Sequence, residues 1–407
     1  MFHQIIYLIC FVCLAYGSLS VLFLAVLSFS GRFFPRKGAV AGSGADTGLA
    51  ATKKIAILVP AYKEDGIILS TAQNHLALDY PRSLYDVYIL ADSFRADTIV
   101  ELRKLPIQVL EMSFEKSTKI KSLNDAFRRM GKDYDIAIIS DADNVLARDF
   151  LRRIARGFAE GAQVIQGRRV AKNMDTSFAL LDACSEGINN HIFRRGSNAL
   201  GLSAPLIGSG MAFEYRMIRE MLKGIDSVVE DKILQLKLVQ QGYFIQYMEG
   251  ALIFDEKVDS PEAFERQRRR WVSGQFINLK EYFLPGLREL FRGNISYFNF
   301  AVMNNLVLPR AFLLVLLPIL VVAGFLVHPS LGIWAAALLF TYLLSLVIAI
   351  PHEMINRDLF RALLKLPKAI FVMAGTLFRM KKSNKTFIHT VHTKTEISNS
   401  LFNDHGK

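Results

Sequence analysis

The sequence predicts an α/β domain with a largely parallel sheet, joined to helices that cross a membrane. Three observations carry that expectation. From Ile55 to about Tyr247, short apolar β-branched runs alternate with segments of helical periodicity, the pattern of strands joined by helices. Three other stretches stay apolar over the length a helix needs to cross about 30 Å of hydrocarbon. The 407-residue chain is 52% hydrophobic with a positive mean hydropathy, yet 21% of it is charged. The two facts agree only if apolar and charged residues occupy different segments.

In chain order, 5–29 is the first expected membrane helix, within a first segment of 1–30. Its apolar run is longer than a signal-peptide core and no basic region precedes it. Arg32, Arg36 and Lys37 follow, then Lys53 and Lys54. By the positive-inside rule the N-terminus lies outside and the chain after residue 30 in the cytoplasm. Residues 31–54 form a linker whose 38–51 part, rich in Gly, Ala and Ser, reads as a flexible tether.

Strands are expected at 55–60, 85–90, 107–111, 135–140 and 162–166, with helices at 98–104 and 122–130 between them. The domain is expected to run unbroken over 55–283. Residues 261–282 read as a basic helix, and 284–305 mixes aromatics with charges as an interfacial segment would. Two further spans, 306–327 and 331–350, are separated by His328-Pro329-Ser330. The 351–382 region is an amphipathic interfacial stretch rather than a fourth span, because Arg361, Lys365 and Lys368 leave too short an apolar run. A cytosolic tail, 383–407, completes the expected order.

Composition excludes some functions. The net charge of +12 is spread over the membrane ends and the acidic cleft region, not gathered on one aromatic-interleaved face, so a nucleic-acid partner is not expected. An anionic leaflet and an anionic diphosphate substrate account for it better. Three cysteines make no disulfide framework: Cys10 and Cys13 lie in an apolar run, and Cys184 stands alone.

Chemistry enters at Ile136-Ala137-Ile138-Ile139-Ser140-Asp141-Ala142-Asp143. An apolar run ends in two carboxylates spaced by one small residue, and ligands collect at the carboxyl ends of parallel strands. Two hard oxygen ligands with open positions suit Mg²⁺ or Mn²⁺ carrying phosphate. Taken alone, the same residues are also an ordinary acidic turn.

Further motifs in order narrow the choice. Val59-Pro60-Ala61-Tyr62-Lys63-Glu64 resembles I-P-A-Y-N-E, Ala91-Asp92-Ser93 stands where D-D-G-S is found, and Lys119 with Asn124 matches K-x-x-A-L-N. Gly208-Ser209-Gly210, Glu230-Asp231 and Gln267-Arg268-Arg269-Arg270-Trp271 resemble an acceptor loop, an E-D pair and Q-x-x-R-W. Together they resemble the family-2 inverting glycosyltransferases of GT-A (Rossmann-like) fold, in particular the membrane-embedded cellulose, hyaluronan and poly-N-acetylglucosamine synthases. The resemblance implies a nucleotide-sugar donor, a glycan or lipid-linked acceptor, membrane lipids as surroundings, and a second copy or an export partner. It also implies a bacterial inner-membrane location. Asp143 and Asp141 would hold the metal, with Asp231 as general base placed by Glu230. Pro60, Tyr62, Glu64, Asp92, Lys119, Asp141, Gly208, Gly210, Gln267, Arg270 and Trp271 would line the substrate site. Lys63 and Ala91 depart from the pattern, so nucleotide recognition at the second motif rests on Asp92. Thr393 and Lys394 loosely resemble a gating loop. Each motif has a plainer reading as well: a helix N-terminus for Glu230-Asp231, a membrane-surface patch for the arginines, a core ring for Trp271 and a turn for the glycines.

Overall fold

A computed structural model describes residues 2–35, 52–225, 230–257, 261–364, 397, 399 and 401–404; for 230 and 261–273 it describes the backbone alone. The tether at 38–51, the 365–396 stretch and Thr393 and Lys394 lie outside the described residues.

The chain divides into two units. The first is built on one sheet and comprises Gly38–Asp175, Ser203–Lys257 and Asn384–Lys407. Its strands are β1 (Ile55–Tyr62), β2 (Tyr85–Asp92), β3 (Gln108–Met112), β4 (Ile136–Ile139), β5 (Val145–Leu146), β6 (Val164–Ala171), β7 (Met211–Glu214) and β8 (Ile245–Asp255). They lie in the order β3-β2-β1-β4-β7-β6-β8-β5. The parallel character expected from sequence holds for β3, β2, β1 and β4. Beyond β4 the sheet is mixed: β7 runs antiparallel to both β4 and β6, β6 and β8 are parallel, and β5 is antiparallel to β8.

Ile55, Ile57, Val59, Val87, Ile89, Ile136 and Ile138 are buried in one core, as unbroken apolar strands covered on both faces require. Helices α2 (Ile68–Leu76), α3 (Ala96–Arg103), α4 (Lys119–Arg129) and α5 (Phe150–Ala159) connect the strands. Thr118 caps α4, its hydroxyl accepting from Lys121 N at 3.3 Å. Pro60 is tolerated within β1 for a geometric reason. Leu58 turns its carbonyl to β4, accepting from Ser140 N at 3.0 Å, and residue 60 has the same parity but lies past the end of that ladder. Its missing N–H therefore costs no strand bond.

The second unit, Met1–Lys37, Thr176–Leu202 and Val258–Ser383, is helical. Residues 176–202 are grouped with this unit. They hold α6 (Ser177–Asn189) and a π-helical segment, Asn190–Gly196. Among the described residues, three helices are long and apolar enough to cross a membrane: His3–Phe33, Arg310–Val327 and Pro329–Ala349. The Pro261–Phe291 helix runs on well past 282, carrying Pro285 inside it. Small residues allow close packing. A Cβ on Gly196 would lie 2.1 Å from Leu27 O, and one on Gly324 would lie 2.8 Å from Gly332 N. Two buried or half-buried arginines of this unit are paired, as low-dielectric surroundings favour. Arg310 donates to Ser185 O and Asn189 Oδ1, each at 2.9 Å, and the buried Arg194 donates to Glu186 at 3.2 Å.

Candidate active site

The carboxyl ends of β1, β2 and β4 form one edge of the sheet, since these strands are parallel and in register from Ile55↔Tyr85 and Ile55↔Ile136. β7 starts at that edge, opposite the end of β4, with Met211 paired to Ile139. The strand order therefore gathers Tyr62, Asp92, Asp141, Asp143 and the 208–210 loop, which are far apart in sequence.

Lys119, on the first turn of α4, forms an ion pair with Asp141 and donates to Gly208 O at 2.7 Å. One ammonium thus joins the helix, the D-x-D turn and the glycine loop. Asp141 is further fixed by its own N–H, which donates to Ser209 Oγ at 3.0 Å. Asp143 is buried, at 8% exposure. Lys172, just past β6, is buried too and donates from Nζ to the Asp143 carbonyl at 3.2 Å. Burial holds the Lys172 ammonium below the usual lysine range, while Asp143, Glu256 and Asp255 pull the other way.

Asp92 accepts from Ser93 Oγ at 2.9 Å and from Ser117 Oγ. Lys63 N donates to the Asp92 carbonyl at 3.1 Å. The residues that leave the paired ends of β1 and β2, Lys63 and Ser93, both adopt left-handed backbone, with φ of 56° and 58°. Such conformations cluster at functional sites because they store strain that the surrounding fold must support. Glu64 is buried at the entry to α2. Pro60 and Tyr62 are half-buried on β1, and the Lys63 ammonium lies 5.1 Å from the Tyr62 ring centroid.

The glycine loop is held by residues that the sequence did not single out. Gln166, fully buried, donates from Nε2 to Ser209 O and Gly167 O, each at 3.0 Å, and accepts from Ile207 N at 3.0 Å. Gly208 and Gly210 have φ of 86° and 60°, which explains glycine at both. At Gly210 packing adds a second reason: a Cβ there would lie 2.1 Å from Ile253 Cδ1. The space a side chain would take at 210 is filled by the protein itself, whereas beside Gly208 the nearest atom is Lys119 Nζ at 3.9 Å.

Asp231 is the second residue of the Glu230–Gln240 helix, with Lys232 N donating to its Oδ1 at 2.9 Å. Gln235, one turn later on the same face, accepts from Leu206 N at 3.2 Å. That helix is thereby tied to the stretch leading into Gly208. Glu230 opens the helix, and only its backbone is described. Gln267, Arg270 and Trp271 lie on the first half of the Pro261–Phe291 helix, in the helical unit, and again only their backbone is described.

The donor set around Asp141 and Asp143 fits Mg²⁺ or Mn²⁺. It is made of oxygens: the two carboxylates, and beside them Ser140 Oγ and Asn144 Oδ1, both buried without a partner among the described residues. No cluster of three His, Cys, Asp or Glu side chains is found among the described residues. A closed all-protein site is therefore not what the turn offers. Two carboxylates that leave positions for phosphate oxygens are what Mg²⁺ takes in nucleotide enzymes.

Fold and edge together define a mixed α/β domain with the GT-A arrangement. The chain belongs to the glycosyltransferase like family 2, whose model matches residues 52–274, more than half of the sequence. It is 25% identical over 261 residues to a probable glycosyltransferase, YdaM, of Bacillus subtilis, covering 60% of each chain. It is 26% identical over 237 residues to a beta-monoglucosyldiacylglycerol synthase of Trichormus variabilis, covering 56% of this chain and 50% of that one. The matches thus span about half to three-fifths of these relatives. A mannosyltransferase from Pyrobaculum calidifontis, solved with GDP-Man and Mn²⁺, shares the fold with a TM-score of 0.52 and 18% identity, covering 91% of this chain and 100% of that one.

Proposed function

We propose that the protein is a membrane-bound, metal-dependent inverting glycosyltransferase that moves a sugar from a nucleotide-diphosphate sugar, UDP-linked, onto a growing polysaccharide or lipid-linked glycan. The observation that carries this reading is the Lys119–Asp141 pair at the carboxyl edge of the sheet, with Asp143 two residues on. Asp143 and Asp141 would hold Mg²⁺ or Mn²⁺, which would supply charge neutralisation for the leaving diphosphate. Lys119 adds a second positive charge there. Asp92, oriented by Ser93 and Ser117, accepts hydrogen bonds from the nucleotide base, and Pro60, Tyr62 and Glu64 bound the donor side. Asp231, placed by Glu230, takes the proton of the acceptor hydroxyl as its oxygen attacks the anomeric carbon. Attack from the face opposite the departing diphosphate inverts the configuration. Gly208 admits the acceptor close to the backbone. For Gln267, Arg270 and Trp271 the reading rests on the motif alone: a guanidinium for phosphate oxygens and a ring face for a sugar. The 1–30, 31–54, 55–283, 284–305, 306–350, 351–382 and 383–407 divisions, with the N-terminus outside and the sheet domain cytoplasmic, belong to the same proposal, as does a bacterial inner-membrane location.

A second reading is single transfer to a lipid acceptor. The relatives named beta-monoglucosyldiacylglycerol synthase favour it. So does the number of apolar helices: the three found among the described residues offer little polar lining for a path through lipid, where each unpaired polar group costs several kcal/mol. Export of a polymer would then need a second copy or a partner. The test gives purified protein a panel of nucleotide sugars, with nucleotide release as readout, and sizes the products with diacylglycerol or a lipid-linked glycan as acceptor. A ladder of products supports extension, and a product one sugar larger supports the second reading. No turnover with any donor would sink both.

A further inference from the structure

Ile397, Asn399, Leu401 and Phe402 belong to the sheet unit, where sequence alone suggests a free tail. Asn399 is buried and donates from Nδ2 to Ala171 O at 2.7 Å, while its Oδ1 accepts from Leu401 N at 3.1 Å. Ile397, Leu401 and Phe402 pack on an apolar patch made by Val145, Ala147, Val170, Leu252 and Phe254. The Phe402 ring meets Phe254 edge to face, with centroids 5.2 Å apart and planes at 88°.

Both contacts lead to the D-x-D turn. Ala171 is followed by Lys172, whose N–H donates to Asp255 O at 2.8 Å and whose ammonium donates to the Asp143 carbonyl. The Asp255 carboxylate accepts from Asn144 Nδ2 at 3.1 Å and Lys257 Nζ at 2.7 Å. On the apolar side, Val145 pairs with Phe254, the residue that the Phe402 ring covers. β5 is two residues long and among the described residues pairs with β8 alone, so few ladder bonds hold the chain that leaves Asp143. Packing against the face of Val145 and Phe254 must supply the rest.

We infer that Asn399 and Phe402 are positioning residues for the Asp141–Asp143 turn, and that this C-terminal stretch is a working part of the glycosyltransferase site. The inference rests on the reading of that turn as the donor and metal site. It acts through two routes: Asn399 fixes the end of β6 from which Lys172 reaches Asp143, and Phe402 fixes the β5–β8 pair behind Asn144.

The test compares full-length protein with Asn399→Ala, Phe402→Ala and the conservative Phe402→Leu by amide hydrogen exchange and by Mn²⁺ titration in the presence of UDP, followed by electron paramagnetic resonance. In both alanine variants, exchange at the Asn144 and Ala147 amides should quicken about tenfold, the scale of one buried hydrogen bond lost. Ile57 and Ile89, in β1 and β2, should keep their rates. Half-saturation by Mn²⁺ should rise by a similar factor, and Phe402→Leu should recover most of it. Unchanged exchange at Asn144 and Ala147 would overturn the inference. Equal quickening in β1 and β2 would do so as well, because it would mean general loss of stability. Failure of the unsubstituted protein to bind Mn²⁺ would sink the metal reading of the turn, and the exchange comparison would still decide whether the anchor positions it.

Discussion

Gly210 and Ile253 occupy one space: the Ile253 side chain lies where a side chain on residue 210 would begin, 2.1 Å from the ideal Cβ to Cδ1. Ile253 also fills the space beside Gly167, where the same distance would be 2.7 Å. One isoleucine on β8 thus keys into glycines on β6 and at the start of β7. The loop before β7 owes its position to this packing as much as to its turn.

Gly210→Ala should therefore destabilise the protein by about 1–3 kcal/mol, from overpacking together with a left-handed backbone. Adding Ile253→Ala should recover part of the loss by opening the space. Denaturant titration of the single and double variants measures both. Additive losses would mean that the two residues do not share the space.

Lys63 carries left-handed backbone without being glycine or asparagine. For an L-residue this costs roughly 1–2 kcal/mol, and asparagine tolerates it better. The loss of a cation over the Tyr62 ring would take back about 0.5–1 kcal/mol. Lys63→Asn should accordingly raise the melting temperature slightly, and a fall would show that the lysine side chain matters more than its backbone.

On the proposed mechanism, Asp231→Asn keeps the shape of the residue and removes the proton acceptor. The turnover rate should drop by about 10²–10⁴ with donor affinity retained. Near-normal turnover would take Asp231 out of the reaction.

Chelation with EDTA should abolish turnover, and Mg²⁺ or Mn²⁺ should restore it. In Asp143→Ala, added metal should restore nothing, while melting behaviour should stay close to that of the parent. Full activity in chelator would remove the metal from the mechanism.

His75 is fully buried, and neither ring nitrogen has a partner among the described residues. Burial pushes its pKa from 6.5 down to about 4. Above pH 6.5 the ring is neutral in both folded and unfolded chains, so its contribution to stability is intact. As pH falls from 6.5 towards 4, the unfolded chain takes up a proton that the folded one refuses, and stability declines by roughly 2 kcal/mol at pH 5. His75→Leu should show a shallower loss over that interval in denaturant titrations at pH 7 and pH 5. Parallel losses would assign the acid sensitivity to other groups.

The parallel half of the sheet was legible because β1 and β4 are apolar runs and β2 carries one from Val87 to Ala91, and D-x-D stood out as charge at the end of such a run. The second half was not. β7 has four residues directly after a glycine turn, β8 is interrupted by Glu249-Gly250, and Arg168-Arg169 made β6 look shorter than it is. Residues 176–202 carry no apolar run long enough to betray their place among the long helices. In the site, Asp92, Lys119, Asp141 and Asp143 were visible as charges in motifs. Gln166 and Asn399 were not, since a neutral polar residue gains its meaning only from distant partners. The Gln166 bond to Ser209 spans 43 positions, and the Asn399 bond to Ala171 spans 228. Lys172 left a faint trace, a lysine immediately after an apolar strand end.

The pairing of β6 with β7 and β8 bears on how the protein is made. The chain leaves the sheet unit at Asp175 and returns at Ser203, and β6 finds its parallel neighbour only when Ile245 has been synthesised. Strands β1 to β4 can assemble through local crossovers as they emerge. One edge of β6 is covered once β7 has emerged, but the other must wait for roughly seventy residues, several seconds at about 5–20 residues per second. During that interval the nascent chain presents a bare strand edge while residues 176–202, which belong to the helical unit, emerge. Expression of this protein should therefore depend on the pace of translation between Asp175 and Ile245, and slow codons there would favour misassembly.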